Sequence, residues 1–345
     1  MKINLFVIFF YLIFNISNFV YSFDIFNFEF TKIEFKSNDI EKTKNETISE
    51  LKKKNLLLLF KQILTDKEFK KIRNKINDKF SDNFIRNIII ENEKIINNNY
   101  SANLKIIYDE NLIIKFLRNH KLSYAYFLPD NFFLIISEDT GINKYLFSKE
   151  NSYYKFIMNS KNYLDFYKIP NLDINDRYLL NSSDIQNRNI DNIKKFIKKY
   201  SYSNNIIIES KYNFSSYDID IYLFIENEYI LVKNYSLKQL EHQKFFLNLK
   251  SNILDTWKYY NNVQNNKLNN IECYVNSLNI NELKQIKLLI KNISVIKDFE
   301  LKKISLYKNL YIINYYGNYE ILKKLFYINS INIKFDDNNC NIFLK

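Results

Sequence analysis

The residues best spaced for chemistry are Asp173 and Asp176, in the run Ile169-Pro170-Asn171-Leu172-Asp173-Ile174-Asn175-Asp176-Arg177. Two carboxylates this close can divide acid–base work between them. The plainer reading, and the favoured one, is that they cap and order a turn after Pro170, with Arg177 as a salt partner. Asp218 and Asp220 alternate along one strand and read as a solvated sheet edge. His120 follows a helix end and His242 lies inside a long helix, and neither has a Cys, His or carboxylate at metal-ligand spacing, so no metal is expected. With only Gly141 and Gly317, the chain has no glycine loop to cradle phosphate and no Gly-x-Ser-x-Gly elbow. No cofactor is expected. The only cysteines are Cys273 and Cys340.

What those cysteines do depends on compartment. Met1-Lys2 is a short basic start, an unbroken apolar run occupies 5–14, and Val20-Tyr21-Ser22 resembles a cleavage site. That order predicts a signal peptide over 1–22. The apolar core is too short to span a bilayer comfortably, and an uncleaved anchor is the alternative. No later stretch approaches the roughly 18 apolar residues of a span. Membrane contact is expected only through the leader or peripherally.

The formal charge of +12 suggests nucleic acid, but its make-up argues otherwise. Arginine occurs only at Arg73, Arg86, Arg118, Arg177 and Arg188, whereas a nucleic-acid binder favours Arg for bidentate contacts. Ile, Asn, Lys, Phe and Tyr dominate, the residues with AT-rich codons. Basic clusters such as Lys52-Lys53-Lys54 fall on predicted helices and read as solvated faces. With so few glycines, turns fall to Asn and Asp, which tolerate left-handed backbone.

Length suggests two or three small mixed sheet-and-helix units after the leader, of α+β class, and the elements group as three. Alternation over 23–35 predicts a strand, 46–64 a helix, and 88–108 a hairpin turning at Asn97-Asn98-Asn99. With a helix over 110–119 and a closing strand, these make an N-terminal domain, 23–128. The middle domain, 129–262, starts with a strand from Phe132 and continues with an aromatic-rich helix over 148–166 and a short strand at Leu179-Leu180. A helix follows with Ile193, Phe196, Ile197 and Tyr200 at helical spacing, then a buried strand, a hairpin over 218–235 and a long helix over 237–260. The polar stretch 261–270 reads as a linker, and 268–345 has the order βαββαβ of a ferredoxin-like domain. In that order the strands carrying Cys273 and Cys340 are neighbours. An exported chain with two cysteines then allows a Cys273–Cys340 bridge; two buried free thiols are the alternative.

Four stretches resemble the proteobacterial exported family known as domain of unknown function 2066. They are the first long helix running into Leu57-Leu58-Leu59-Phe60-Lys61-Gln62-Ile63-Leu64-Thr65, the Pro170, Asp173, Asp176 element, residues 193–257, and the last domain with Tyr315-Tyr316-Gly317 before a Leu-rich helix. The middle domain also resembles the periplasmic anticodon-binding-like domains of Tol and curli assembly proteins. The resemblance implies a periplasmic protein and carries over no catalytic residue. The expectation is a non-enzymatic envelope protein that works through unidentified envelope proteins. A hydrolase using Asp173 and Asp176, and a secreted protein of an AT-rich eukaryotic parasite, are the alternatives.

Overall fold

The computed structural model describes residues 25–345 except 130, 226, 266, 305–307, 337 and 338; the leader read at 1–22 lies outside the described residues. The class is α+β. The first elements are β1 (Thr31–Lys36), α1 (Ile40–Ile63), α2 (Asp66–Ile72), α3 (Asp78–Asp82), β2 (Ile85–Ile96), β3 (Asn99–Tyr108), α4 (Glu110–Asn119) and β4 (Tyr124–Ala125). β1, β3 and β2 form a three-stranded sheet in that order. The β2–β3 turn places Asn97 and Asn98 at φ 47° and 64°. Both values are left-handed, as a two-residue hairpin turn demands and asparagine tolerates.

The middle elements are β5 (Phe132–Asp139), β6 (Lys144–Tyr145), α5 (Ser152–Asn159), α6 (Lys161–Leu164), β7 (Tyr167–Lys168), α7 (Ile174–Leu179), α8 (Ser182–Gln186), α9 (Ile190–Tyr200), β8 (Asn204–Tyr212), β9 (Tyr217–Ile225), β10 (Glu228–Leu237), α10 (His242–Tyr260) and β11 (Asn262–Val263). The sheet runs β10-β9-β8-β5-β6, with β7 also on β5. β5 and β8 are parallel neighbours, and their apolar runs are buried on both faces. Leu134, Ile136, Ile206 and Ile208 face a core with Tyr153, Tyr154, Phe246 and Trp257. Phe133, Ile135 and Ile207 face Phe147, Ile193 and Phe196. That alternation is the period of two in a pleated strand.

Two local expectations change here. The aromatic stretch 148–166 is not one helix: Asn151 caps α5, and Ser160, at φ −122° and ψ 84°, breaks it before α6. The strand expected at Leu179-Leu180 is the end of α7, started by Asp173; only Leu180 is extended.

The last elements are β12 (Leu268–Val275), α11 (Ile280–Lys291), β13 (Ile296–Lys303), β14 (Asn309–Tyr316), α12 (Tyr319–Ile328), β15 (Ile331–Asp336) and β16 (Asn339–Leu344). The sheet order is β13-β14-β12-β16-β15. A ferredoxin-like sheet sets the strand after its second helix antiparallel beside the first strand. Here that strand, β15, lies at the edge, and its hairpin partner β16 sits beside β12 and runs parallel to it. The register places Cys273 opposite Cys340, and a disulfide joins them, with Cα atoms 4.4 Å apart.

The chain divides into two compact units, the lower of the two numbers expected, and not at the three-domain boundaries read from the sequence. One holds the described residues to Asn55 with Asn77–Phe116 and Lys267–Lys345; the other holds Leu56–Ile76 and Leu117–Asn266. The boundary expected at 128 disappears because β4 pairs with β11, which shortens the expected linker as well. Leu56–Ile76 joins the second unit through Lys258, whose Nζ donates to the carbonyls of Lys61 (2.6 Å) and Leu64 (2.9 Å). These are carbonyls at the C-terminal end of α1, where helix geometry leaves no intrahelical partner. The long edge strands β2, β10 and β13 each carry a register shift. Such bulges twist an edge away from further pairing.

Candidate functional site

Pro170, Asp173 and Asp176 build structure. Asp173 caps α7 by accepting the Asp176 N–H (3.0 Å). Asp176 is fully buried; Lys199 Nζ donates to its Oδ1 (2.6 Å), and the Tyr200 hydroxyl lies 2.9 and 2.7 Å from its two oxygens. Tyr200 also accepts the Asn171 N–H (3.0 Å), which ties the segment after Pro170 to α9. The hydrogen bond to Asp176 raises the Lys199 pKa, and burial raises that of Tyr200. Arg177 is not the salt partner: its guanidinium donates to the Phe147 carbonyl, and Lys199 takes that place. A sealed, fully engaged carboxylate cannot meet a substrate, so the hydrolase reading of Asp173 and Asp176 loses its acid–base pair.

Chemistry-bearing groups converge instead at the carboxyl ends of β5 and β8, the place where parallel strands of α/β sheets present ligand sites. Glu138 is near the end of β5, Ser152 is the first residue of α5, and His242 is the first residue of α10. Asn151 fixes the start of α5: its Oδ1 accepts the N–H groups of Tyr153 and Tyr154, and its Nδ2 donates to the carbonyls of Ile136 and Tyr145. The buried Glu138 carboxylate then accepts the Ser152 N–H at Oε2 (2.7 Å) and the Ser152 hydroxyl at Oε1 (2.5 Å). His242 Nε2 lies 3.0 Å from Ser152 Oγ. Because the hydroxyl proton points to Glu138, the consistent tautomer carries its proton on Nε2 and donates to Oγ. The imidazole stacks on Phe156 and meets the edge of Tyr153, with centroids 5.5 and 5.4 Å away. Burial lowers the His242 pKa, against an opposing pull from Glu138, so the ring is held neutral. Tyr153 is fixed in turn by donating to Ser210 Oγ on β8 (2.7 Å).

On the other sheet face Glu209 stands directly opposite Asp220. β9 is therefore an interior strand, and Asp218 and Asp220 do not lie on an edge as expected. Burial raises the Glu209 pKa, Arg188 opposes it, and Asp220 adds a smaller push upward. Arg188 itself lies over the rings of Tyr222 (5.1 Å) and Tyr229 (5.3 Å).

Two turns cap the same end of the sheet. Ile142, between β5 and β6, is 86% exposed, and Phe214, between β8 and β9, is 78% exposed. Phe214 has a left-handed φ of 61°, which bulky side chains rarely adopt. Its Cζ lies 3.4 Å from where a Cβ on Gly141 would stand, so the ring rests over a glycine, itself at φ 82°.

Nothing in the sequence spacing flagged the Glu138, Ser152 and His242 trio, since 14 and 90 positions separate Ser152 from its partners. Among the described residues no group of three His, Cys, Asp or Glu side chains could hold a metal ion, and no helix is long and apolar enough to cross a membrane. Comparison with protein-family models, curated proteins and solved structures finds no match.

Proposed function

We propose that the chain is exported through its leader and works in the periplasm by binding another envelope protein through the Ile142 and Phe214 tip. The observation that carries this reading is Phe214, a bulky residue with its ring in water on a left-handed backbone. Such strain costs on the order of 1–3 kcal/mol and collects at functional positions. Burial of the ring by a partner would return about 1.5–3 kcal/mol. Around the tip, Asp139, Glu209, Asp218 and Asp220 outweigh Lys144, Lys211 and Arg188 by one charge, a local acidic excess in a chain of net charge +12. The partner this surface fits has an apolar pocket with a basic rim. The bulges on β2, β10 and β13 speak against strand addition at those edges.

A photo-crosslinking residue at position 214, expressed in the native host, tests the reading. One periplasmic protein should be captured there, and raised salt or Ile142→Ser should reduce its recovery. The same crosslinker at Tyr178, an equally exposed position, is the control. Indistinguishable capture from the two positions would end the proposal.

A further inference from the structure

We propose that Ser152 is a nucleophile that takes the acyl group of an aryl, or otherwise activated, carboxylic ester. The proposal goes beyond the binding reading and does not depend on it. Ser152 is partly exposed, while the carboxylate that accepts its proton is buried. Short contact to a carboxylate polarises the hydroxyl, and the second Glu138 oxygen is locked by the Ser152 N–H, so the pair cannot drift apart by side-chain rotation alone. The His242 Nε2 proton lies beside Oγ and fixes the direction of its lone pairs. α5 and α10 both begin at this point, and α10 has no side-chain cap on its first turn. The positive ends of both helices therefore lie near Ser152. The half-buried rings of His242 and Phe156, stacked 5.5 Å apart beside the hydroxyl, suit an aryl group, and the fully buried Tyr153 backs them.

The step balances without a metal or a redox partner. Oγ attacks the ester carbonyl carbon as the hydroxyl proton passes to Glu138. The carbon–oxygen bond to the leaving group breaks, and Glu138 returns that proton to the departing phenolate. Water then adds to the acyl carbon of the acyl-serine, giving one proton to Glu138. Ser152 leaves and takes a proton back, so one ester and one water become one acid and one phenol. A carboxylate is a weak base, which is why the leaving group must be a good one.

The experiment treats the full folded chain with an excess of an alkyl fluorophosphonate and reads intact mass and modified peptides. One adduct on Ser152 is expected, with Ser203 and Ser215, exposed serines without a carboxylate partner, left unmodified. Nitrophenyl butyrate should release a burst of one equivalent of nitrophenolate. Glu138→Gln keeps an oxygen for the Ser152 N–H but supplies no base, and should slow labelling by about 100-fold or more. Absence of an adduct on the wild-type chain overturns the proposal, whatever the variant does. So does labelling of Ser203 and Ser215 at the same rate as Ser152. If E138Q does not fold, judged by Trp257 emission, His242→Gln takes its place, and an unchanged labelling rate there also counts against the site.

Discussion

Reduction of the Cys273–Cys340 bond should lower the stability of the five-stranded sheet by about 4 kcal/mol. The bond joins residues 67 apart in sequence. In the chain-entropy treatment, closing a loop of that length removes roughly 15 cal/mol/K from the unfolded chain, about 4 kcal/mol at 25 °C. Little of the effect should arise in the folded state. Both cysteines are buried, Cys273 completely, and β12 and β16 keep their hydrogen-bonded register whether or not the sulfurs are joined. The assay is pulsed thiol alkylation along a urea series, on the reduced chain, beside hydrogen exchange of β12 and β16 on the oxidised one. Buried thiols react only when the sheet opens. With a slope of about 1–3 kcal/mol/M for a small unit, the midpoint should fall by about 1–4 M on reduction. Equal midpoints for the two forms would refute the entropic reasoning. Quantitative alkylation of both thiols in the untreated, unfolded chain would remove the bond itself.

Lys258→Met should destabilise the second unit by about 1–3 kcal/mol, because the carbonyls of Lys61 and Leu64 lose their donor. Emission of Trp257, the single tryptophan, reports it in chemical denaturation. His242 should make that unit less stable in acid. Its folded pKa is lowered, so the unfolded chain binds the proton more readily, and the contribution present above about pH 6.5 is lost as pH falls toward the folded value. His242→Gln should flatten this acid limb, and parallel limbs for the two chains would count against a buried neutral imidazole. Glu209 acts with the opposite sign: its raised pKa means the folded chain holds the proton more tightly, so this group destabilises as pH rises. Glu209→Gln should therefore gain about 0.2–1 kcal/mol at neutral pH, first by removing a half-buried charge and then by removing the like charge opposite Asp220. The gain should vanish in acid, and a loss at neutral pH would show that Arg188 outweighs burial and repulsion together.

Local physics made much of the architecture legible in the residues. The unbroken apolar run of β5 requires burial on both faces, and Ile193 and Phe196 on α9 are three apart, as one helical face requires. The Asn97-Asn98 turn follows from asparagine's tolerance of left-handed backbone. Asp173 as a cap needs only its own neighbours, and it appears in the sequence as such. Long-range pairing was a different matter. Arg177 and Lys199 both offer a charge to Asp176, and only the packing of α9 against α7 selects Lys199. The element order already set the Cys340 strand beside the Cys273 strand, but only the sheet shows that β16 runs parallel to β12 and that β15 lies at the edge. The Glu138, Ser152 and His242 trio has no periodicity to betray it, because three separate elements end at one point. Sequence determines what each segment prefers over a few residues, where hydrogen bonds and side-chain spacing act. Which distant segments meet is a property of the whole packed core, and only the tertiary structure decided it.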